Sequence, residues 1–149
     1  MDQQIYFAAD HGGFARKEML KAHLQTKGYT LKDFGADHLD AQDDYPDFVY
    51  PMAEAVAKHG ALGLALCRNA QGVCIVANKV DGIRAALGHS VKAAISSKKD
   101  DNANVLCIPG DELTDEQAIK IVDAWIIAEF SGAPRHLRRL SKIENIEKK

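Results

Sequence analysis

The run ALGLALCRNAQGVCIVANK, residues 61–79, passes from six apolar positions directly into Cys67, Arg68 and Asn69. ALGLALC (61–67) has the length and composition of a buried strand, and GVCIVANKV (72–80) reads as a short helix. A thiol therefore closes a strand where the chain turns toward a helix. The same alternation continues in both directions. Upstream, IYFAAD (5–10) is a buried strand and residues 14–27 a helix carrying Ala15, Met19, Leu20 and Leu24, with Gly28 at its C-terminal end. YTLKDFG (29–35) is a second strand, followed by a polar loop (36–46) and a helix (47–58) whose first turns Pro46 and Pro51 restrict. Downstream, GIRAAL (82–87) is strand four and HSVKAAISSKK (89–99) a helix; KKDDNANV (98–105) reads as a loop and NVLCIPG (104–110) as strand five. Thr114 and Gln117 make a capping-box signature for a helix to about Phe130, and the Arg- and Lys-rich segment from Pro134 onward is a last helix.

Strands separated by helices imply right-handed βαβ units around a parallel sheet. The expected fold is a three-layer, doubly wound α/β sandwich, Rossmann- or flavodoxin-like, with a five-stranded parallel sheet and an extended C-terminal helix. No repeat or linker interrupts the pattern, so residues 1–149 read as one domain.

Composition narrows the function. At 46% hydrophobic and 27% charged, the chain is not of the disordered class. A net charge of -2 gives no reason to expect nucleic acid, and no run approaches the roughly 18 apolar residues that span a bilayer. MDQQIYF lacks the basic and apolar regions of a secretion signal. Three cysteines without a C-x-x-C pair favour free thiols in a reducing compartment over disulfides or a zinc site. The cytoplasm is the expected location, and neither metal nor cofactor is expected.

In folds of this class ligands sit beyond the carboxyl ends of the strands, near a switch in strand order. After strand one, Asp10 and His11 precede Gly12–Gly13, which turn the backbone into a helix whose first amides suit an oxyanion or phosphate. An Asp N-cap beside a surface His is the plainer alternative, and without a full G-x-G-x-x-G a dinucleotide is weakly supported. After strand two, DDYPD (43–47) sets carboxylates around a rigid turn, as a solvated loop or as part of a site. After strand three, Arg68 and the amides entering 72–80 could lower the pKa of Cys67 and favour its reactive thiolate. Cys74 and Cys107 lie inside apolar runs and read as inert, and Gly88–His89 is ambiguous. In PRHLRRLSKI, Arg135 and Arg139 are four apart on one face, with Arg138 and Lys142 nearby. Such a pair clamps phosphate because planar guanidinium forks match its oxygens; a solvated helix is the competing reading.

In order along the chain, IYFAADHGGF, DFG, DYPDF, a strand ending in Cys67, ANKVDGIRAAL, NANVL, IVDAW, EFSG and RHLRRLSKI resemble the ribose-5-phosphate isomerase B / galactose-6-phosphate isomerase family, from about Ile5 to Ile146. The resemblance implies interconversion of a phosphorylated aldose and ketose through a cis-enediol, without a metal, in a homodimer whose sites are shared between subunits. Carried over by position, Cys67 matches the base. Asp10 and His11 match residues contacting the sugar and phosphate ends, Tyr45 belongs to the loop lining the pocket, and Asn78 to the helix behind the anion hole. Arg135 and Arg139 match the phosphate-binding arginines, which reach the partner subunit's pocket.

The departures from the family lie in the pocket. Its G-T-G-x-G after the catalytic Cys, whose amides form the anion hole, is here Arg68-Asn69-Ala70-Gln71-Gly72, and only Gly72 survives. Asn69 could stand in for Thr as a donor, and Arg68 could depress the thiol pKa or engage an anion. The ring-opening His of H-N-D-x-N-V-L aligns with Asp100 in Asp100-Asp101-Asn102-Ala103-Asn104, so Asp100 is the candidate acid–base group and Asn102 a neighbouring substrate contact. An ordinary Asp, with pKa near 3.9, is a poor proton donor at pH 7 but can act as a base. His89 or His11 are candidates for the missing proton. Glu112 stands where the family often has arginine. The leading reading is an isomerase with Cys67 as base; a dimeric sugar-phosphate-binding homologue without catalysis is the alternative. A receiver-like phosphoacceptor using Asp10, Asp44 and Lys79 explains neither Cys67 nor the arginine tail.

Overall fold

The computed structural model of the chain describes residues 2–149. Strands β1 (Gln4–Ala9), β2 (Thr30–Asp33), β3 (Leu62–Cys67), β4 (Ala85–Leu87) and β5 (Val105–Pro109) form one parallel sheet in the order β2-β1-β3-β5-β4. The helices are α1 (Phe14–Thr26), α2 (Pro46–His59), α3 (Gln71–Ala77), α4 (Val91–Asp101), α5 (Asp115–Ile127) and α6 (Pro134–Glu147).

Strand order and a single crossover hand dictate the layers. The connections β1→β2 and β4→β5 run one way across the sheet, and β2→β3 and β3→β4 run the other. Right-handed crossovers then require α1 and α4 on one face and α2 and α3 on the opposite one. Leu20 and Leu24 of α1, Ala94 of α4 and Ile121 and Trp125 of α5 do pack with Ile5, Phe7, Leu64, Leu66 and Leu106. Val49, Met52 and Val56 of α2 and Val73 and Ala77 of α3 pack with Tyr6, Ala8, Ala65 and Cys107 on the other side. Neighbouring residues of β1 and β3 thus serve opposite layers, as the two-residue period of a strand demands.

The structure differs from the sequence reading at several element ends and on one buried face. β4 begins only at Ala85, because the preceding residues form a turn, closed by Ile83 N–H donating to the Val80 carbonyl at 3.1 Å. α4 runs on through Asp101, so most of the polar segment expected as a loop is helical; Asn102 ends it in the left-handed region at φ 48°, which asparagine tolerates. α5 stops at Ile127 rather than near Phe130. In α1 the buried positions are Lys17, Leu20 and Leu24, while Ala15 is exposed. Lys17 lies there because its Nζ donates to both Asp33 carboxylate oxygens at 2.9 Å and to the Ala36 carbonyl. An ion pair that pins α1 to the end of β2 leaves no trace in hydrophobic periodicity.

This topology places the candidate residues at two ends of the sheet. From β1 the chain moves to one side and β3 lies on the other, so the loops leaving β1 and β3 part over a crevice at the carboxyl edge. α3 and α4 each run back from that edge, which puts their C-terminal ends at the amino edge.

Candidate functional site

At the carboxyl edge three loops touch backbone to backbone. Gly110 N–H donates to the Cys67 carbonyl at 2.7 Å and Asp111 N–H to that of Arg68 at 3.0 Å. A methyl group on Gly110 would lie 2.0 Å from the Gly12 carbonyl oxygen, and one on Gly12 only 2.8 Å from Arg68 N. Glycine is needed at both positions because any side chain would force the loops after β1, β3 and β5 apart. Asp10 Oδ1 accepts the Gly12 N–H at 2.9 Å, and burial raises the pKa of this carboxyl. His11 is held through both backbone N–H and ring Nδ1 by Asp43 Oδ1, at 3.0 and 2.7 Å.

Cys67 is the last residue of β3 and only 5% exposed, with its side chain on the α2/α3 face. Its Sγ lies 3.9 Å from Asn69 Oδ1, which also accepts the Gln71 N–H at 3.1 Å. Tyr45 lies against Gly72 so closely that a β-carbon there would meet the ring at 2.4 Å. Ala70 has φ 66°, so the loop keeps a left-handed backbone although a methyl group stands at this position. Arg68 is exposed and leans on Asp111, Nη1 to Oδ2 at 3.2 Å. Asp10, His11, Tyr45, Cys67, Arg68, Asn69 and Gly72 are thus gathered around the β1/β3 end of the sheet.

The remaining sequence candidates are not brought there by the same chain. Asp100 lies in the last turn of α4 and Asn102 at its end, while Asn78 ends α3. Asn78 is a structural stitch: its amide donates to the Ala85 carbonyl at 3.0 Å and its oxygen accepts the Ala85 N–H at 2.9 Å. The Asn102 carbonyl accepts from Arg84 Nε at 2.9 Å. Arg135 and Arg139 are exposed on α6, whose two ends approach α4 and the turn at Gly82, as the His136–Asp100 and Glu147–Gly82 contacts show. The length of β3, about 20 Å for six residues, separates this amino-edge group from Cys67. Glu112 sits at φ 70° in the exposed turn after β5.

Two polar partners escaped the sequence reading. Asp43 was legible only as one carboxylate of a turn. His136 stands between the arginines but points inward: it is buried, its Nδ1 lies 2.6 Å from Ser131 Oγ and its Nε2 3.7 Å from Asp100 Oδ1. An inward-facing histidine on a mostly polar helix has no periodic signature. Cys74 is less enclosed than its place in an apolar run suggests. It is half-buried, with its thiol 3.5 Å from the Ala85 carbonyl, and the neighbouring Cys107 thiol holds its pKa below the ordinary value, whereas that same interaction and burial push Cys107 well up. Asp10, His11 and Asp43 have ligand atoms within 4.8 Å of one another, but His11 Nδ1 and Asp43 Oδ1 already bond each other, which makes a hydrogen-bonded pair rather than an open cation cage. Among the described residues no helix is long and apolar enough to cross a membrane.

Fold and site together define a doubly wound α/β protein with polar and nucleophilic side chains converging at the switch in strand order, the architecture of a small-molecule site. Residues 5–143 match the family described as Ribose/Galactose Isomerase, and the chain belongs to that family. It is 44% identical to a probable ribose-5-phosphate isomerase B of Mycoplasma genitalium over 99% of this chain and 98% of that one. The crystal structure of ribose-5-phosphate isomerase B from Mycoplasma genitalium with bound ribulose-5-phosphate superposes with a TM-score of 0.96 at 44% identity, covering 100% and 99% of the two chains. That of the Clostridium thermocellum ribose-5-phosphate isomerase B gives 0.94 at 39% identity, covering 98% of each.

Proposed function

We propose that the protein is an aldose–ketose isomerase of a phosphorylated sugar, acting through a cis-enediol with the Cys67 thiolate as a metal-free base. The observation that carries this reading is the position of Cys67 at the end of β3, fixed by the loops after β1 and β5 and facing the Asn69–Gly72 turn. In the open-chain aldose the thiolate takes the proton from C2 and the C1 carbonyl oxygen becomes the enediolate oxygen; a proton then passes from the C2 hydroxyl to O1, and return of the proton from the thiol to C1 leaves the ketone at C2. N–H donors of the 69–72 turn would stabilise the oxygen as its charge grows. The left-handed backbone at Ala70 supports this role: the turn holds its shape despite the loss of glycine.

Ring opening and phosphate binding fall to the other group. One chain holds Asp100, Asn102, Arg135 and Arg139 a strand's length from its own Cys67, which supports a homodimer in which each site takes these residues from the second copy. Asp100, with His136 beside it, would exchange the proton on the anomeric hydroxyl. The two arginines, with His11 and Arg68, would hold the phosphate and so orient the reacting carbons. Three free thiols fit a cytoplasmic protein. Ribose 5-phosphate is the first sugar to assay, because the relatives at 44% and 39% identity bear that name, and galactose 6-phosphate follows from the family's description.

The test is solvent-deuterium incorporation into a panel of pentose and hexose phosphates. Exchange at carbon by the wild type and its loss in Cys67→Ser, with unchanged unfolding behaviour, is the expected result. Unchanged turnover in Cys67→Ser removes the thiol from the mechanism. Binding of the panel without any exchange leaves the sugar-phosphate-binding alternative.

A further inference from the structure

We infer that Asp43 is a positioning residue for His11, fixing its ring so that a protonated Nε2 faces the substrate crevice. Three observations carry this. One carboxylate oxygen, Asp43 Oδ1, accepts from both the His11 backbone N–H at 3.0 Å and ring Nδ1 at 2.7 Å, so main chain and ring are locked together. The Asp43 side chain is only 8% exposed whereas that of His11 is 30% exposed, so the pair has a buried anchor and an open tip. The second oxygen, Asp43 Oδ2, is buried with no donor among the described residues. A buried carboxylate with one idle oxygen has its charge compensated chiefly through its other bond, and a cationic imidazole compensates it far better than a neutral one.

The carboxylates facing His11 outweigh the groups that oppose its charge, which are partial burial and Arg68. The hydrogen bond from Asp43 raises its pKa, the charge of Asp10 at the end of β1 adds to the rise, and Arg68 from the loop after β3 opposes it. Arg68 is itself paired with Asp111 of the loop after β5. With Nδ1–H committed to Asp43, Nε2–H is left as the donor on the open side of the ring, the general way a carboxylate sets a histidine's tautomer and direction. That the anion it meets is a sugar phosphate rests on the isomerase reading above; the Asp43–His11 linkage does not.

The experiment follows the His11 imidazole by nitrogen-15 NMR in the full-length wild type, in Asp43→Asn and in His11→Gln, the last identifying the signal. In the wild type, Nδ1 is expected to carry its proton throughout, and the titration midpoint to fall in Asp43→Asn. Inorganic phosphate serves as the anion probe. The His11 cation is present below its midpoint and lost above it, so lowering that midpoint weakens phosphate binding at pH values between the two and spares it below both. With an active sugar, Asp43→Asn should raise KM about ten-fold in that interval with kcat within about three-fold. An identical midpoint in Asp43→Asn overturns the inference. Should that variant not fold, a wild-type spectrum with the His11 proton on Nε2 alone and Nδ1 bare overturns it equally. Absence of turnover with every sugar would defeat the isomerase reading while leaving the titration result to stand on its own.

Discussion

Replacing Lys98 with methionine should stabilise the protein at neutral pH, by an amount that shrinks as the solution becomes alkaline. Lys98 is 7% exposed, its Nζ lies 4.1 Å from the centroid of the Trp125 ring, and burial together with the nearby Arg84 charge lowers its pKa from 10.5 to about 8. The unfolded chain holds this proton up to about pH 10.5, the folded chain only to about pH 8, so between those values the unfolded state binds the extra proton and stability rises with pH. The difference corresponds to about 3 kcal/mol, fully present as a cost below pH 8 and relieved by pH 10.5. Methionine keeps a flexible apolar stem over Trp125 and carries no charge. Lys98→Met should therefore exceed the wild type by up to about 3 kcal/mol at pH 7 and by about 1 kcal/mol at pH 9.5. Urea unfolding followed by Trp125, the single tryptophan, measures both values. Other groups titrate alike in the two proteins and cancel. A stability difference that is the same at the two pH values, or a variant weaker than wild type at pH 7, would show that Lys98 carries no such burden.

Asp33→Asn removes the nearer anion from the buried Lys17 ammonium, leaving only Glu18 at 3.6 Å, and should cost about 3 kcal/mol in urea unfolding at pH 7. Burial pushes the Asp33 pKa up, but Lys21 and Lys17 together hold it below the usual carboxylate range, so its stabilisation is full above pH 4 and fades as acid reaches the lowered value; the variant should lack that acid-side loss. Gly110→Ala drives a methyl group into the Gly12 carbonyl and should destabilise by about 1–3 kcal/mol while lowering kcat, through displacement of the loops that seat Cys67. Subunit exchange tests the shared site: Cys67→Ser and Arg135→Ala/Arg139→Ala should each be inactive alone, and after mixing should regain about a quarter of wild-type activity, whereas no recovery on proven exchange would place both groups in one subunit's site.

Much of this molecule was legible before its structure because the signals involved are local. A strand buried on both faces must be apolar throughout, so ALGLALC and NVLCIPG declared themselves, and Thr114 with Gln117 does form a reciprocal capping box. Cys67, Arg68 and Asn69 stood out as candidates since a polar, nucleophilic run after a buried strand falls where this topology opens a crevice. Asp100 was misplaced in a loop because polar composition does not distinguish a solvated helical turn from coil. Lys17, Asp43 and His136 were invisible as partners: each owes its place to a group 16, 32 and 5 or more residues away, and no residue announces a distant counter-ion.

The amino-acid sequence by itself determined the alternation of elements and the placing of residues, Cys67 among them, at strand ends, all of which follow from short-range periodicity and backbone chemistry. Only the tertiary structure decided which strand ends become neighbours, that Asp43 clasps His11, and that Cys67 and the α6 arginines of one chain lie at opposite edges of the sheet. Those facts depend on strand order and crossover hand, which act across the whole chain and are written in no single segment of it.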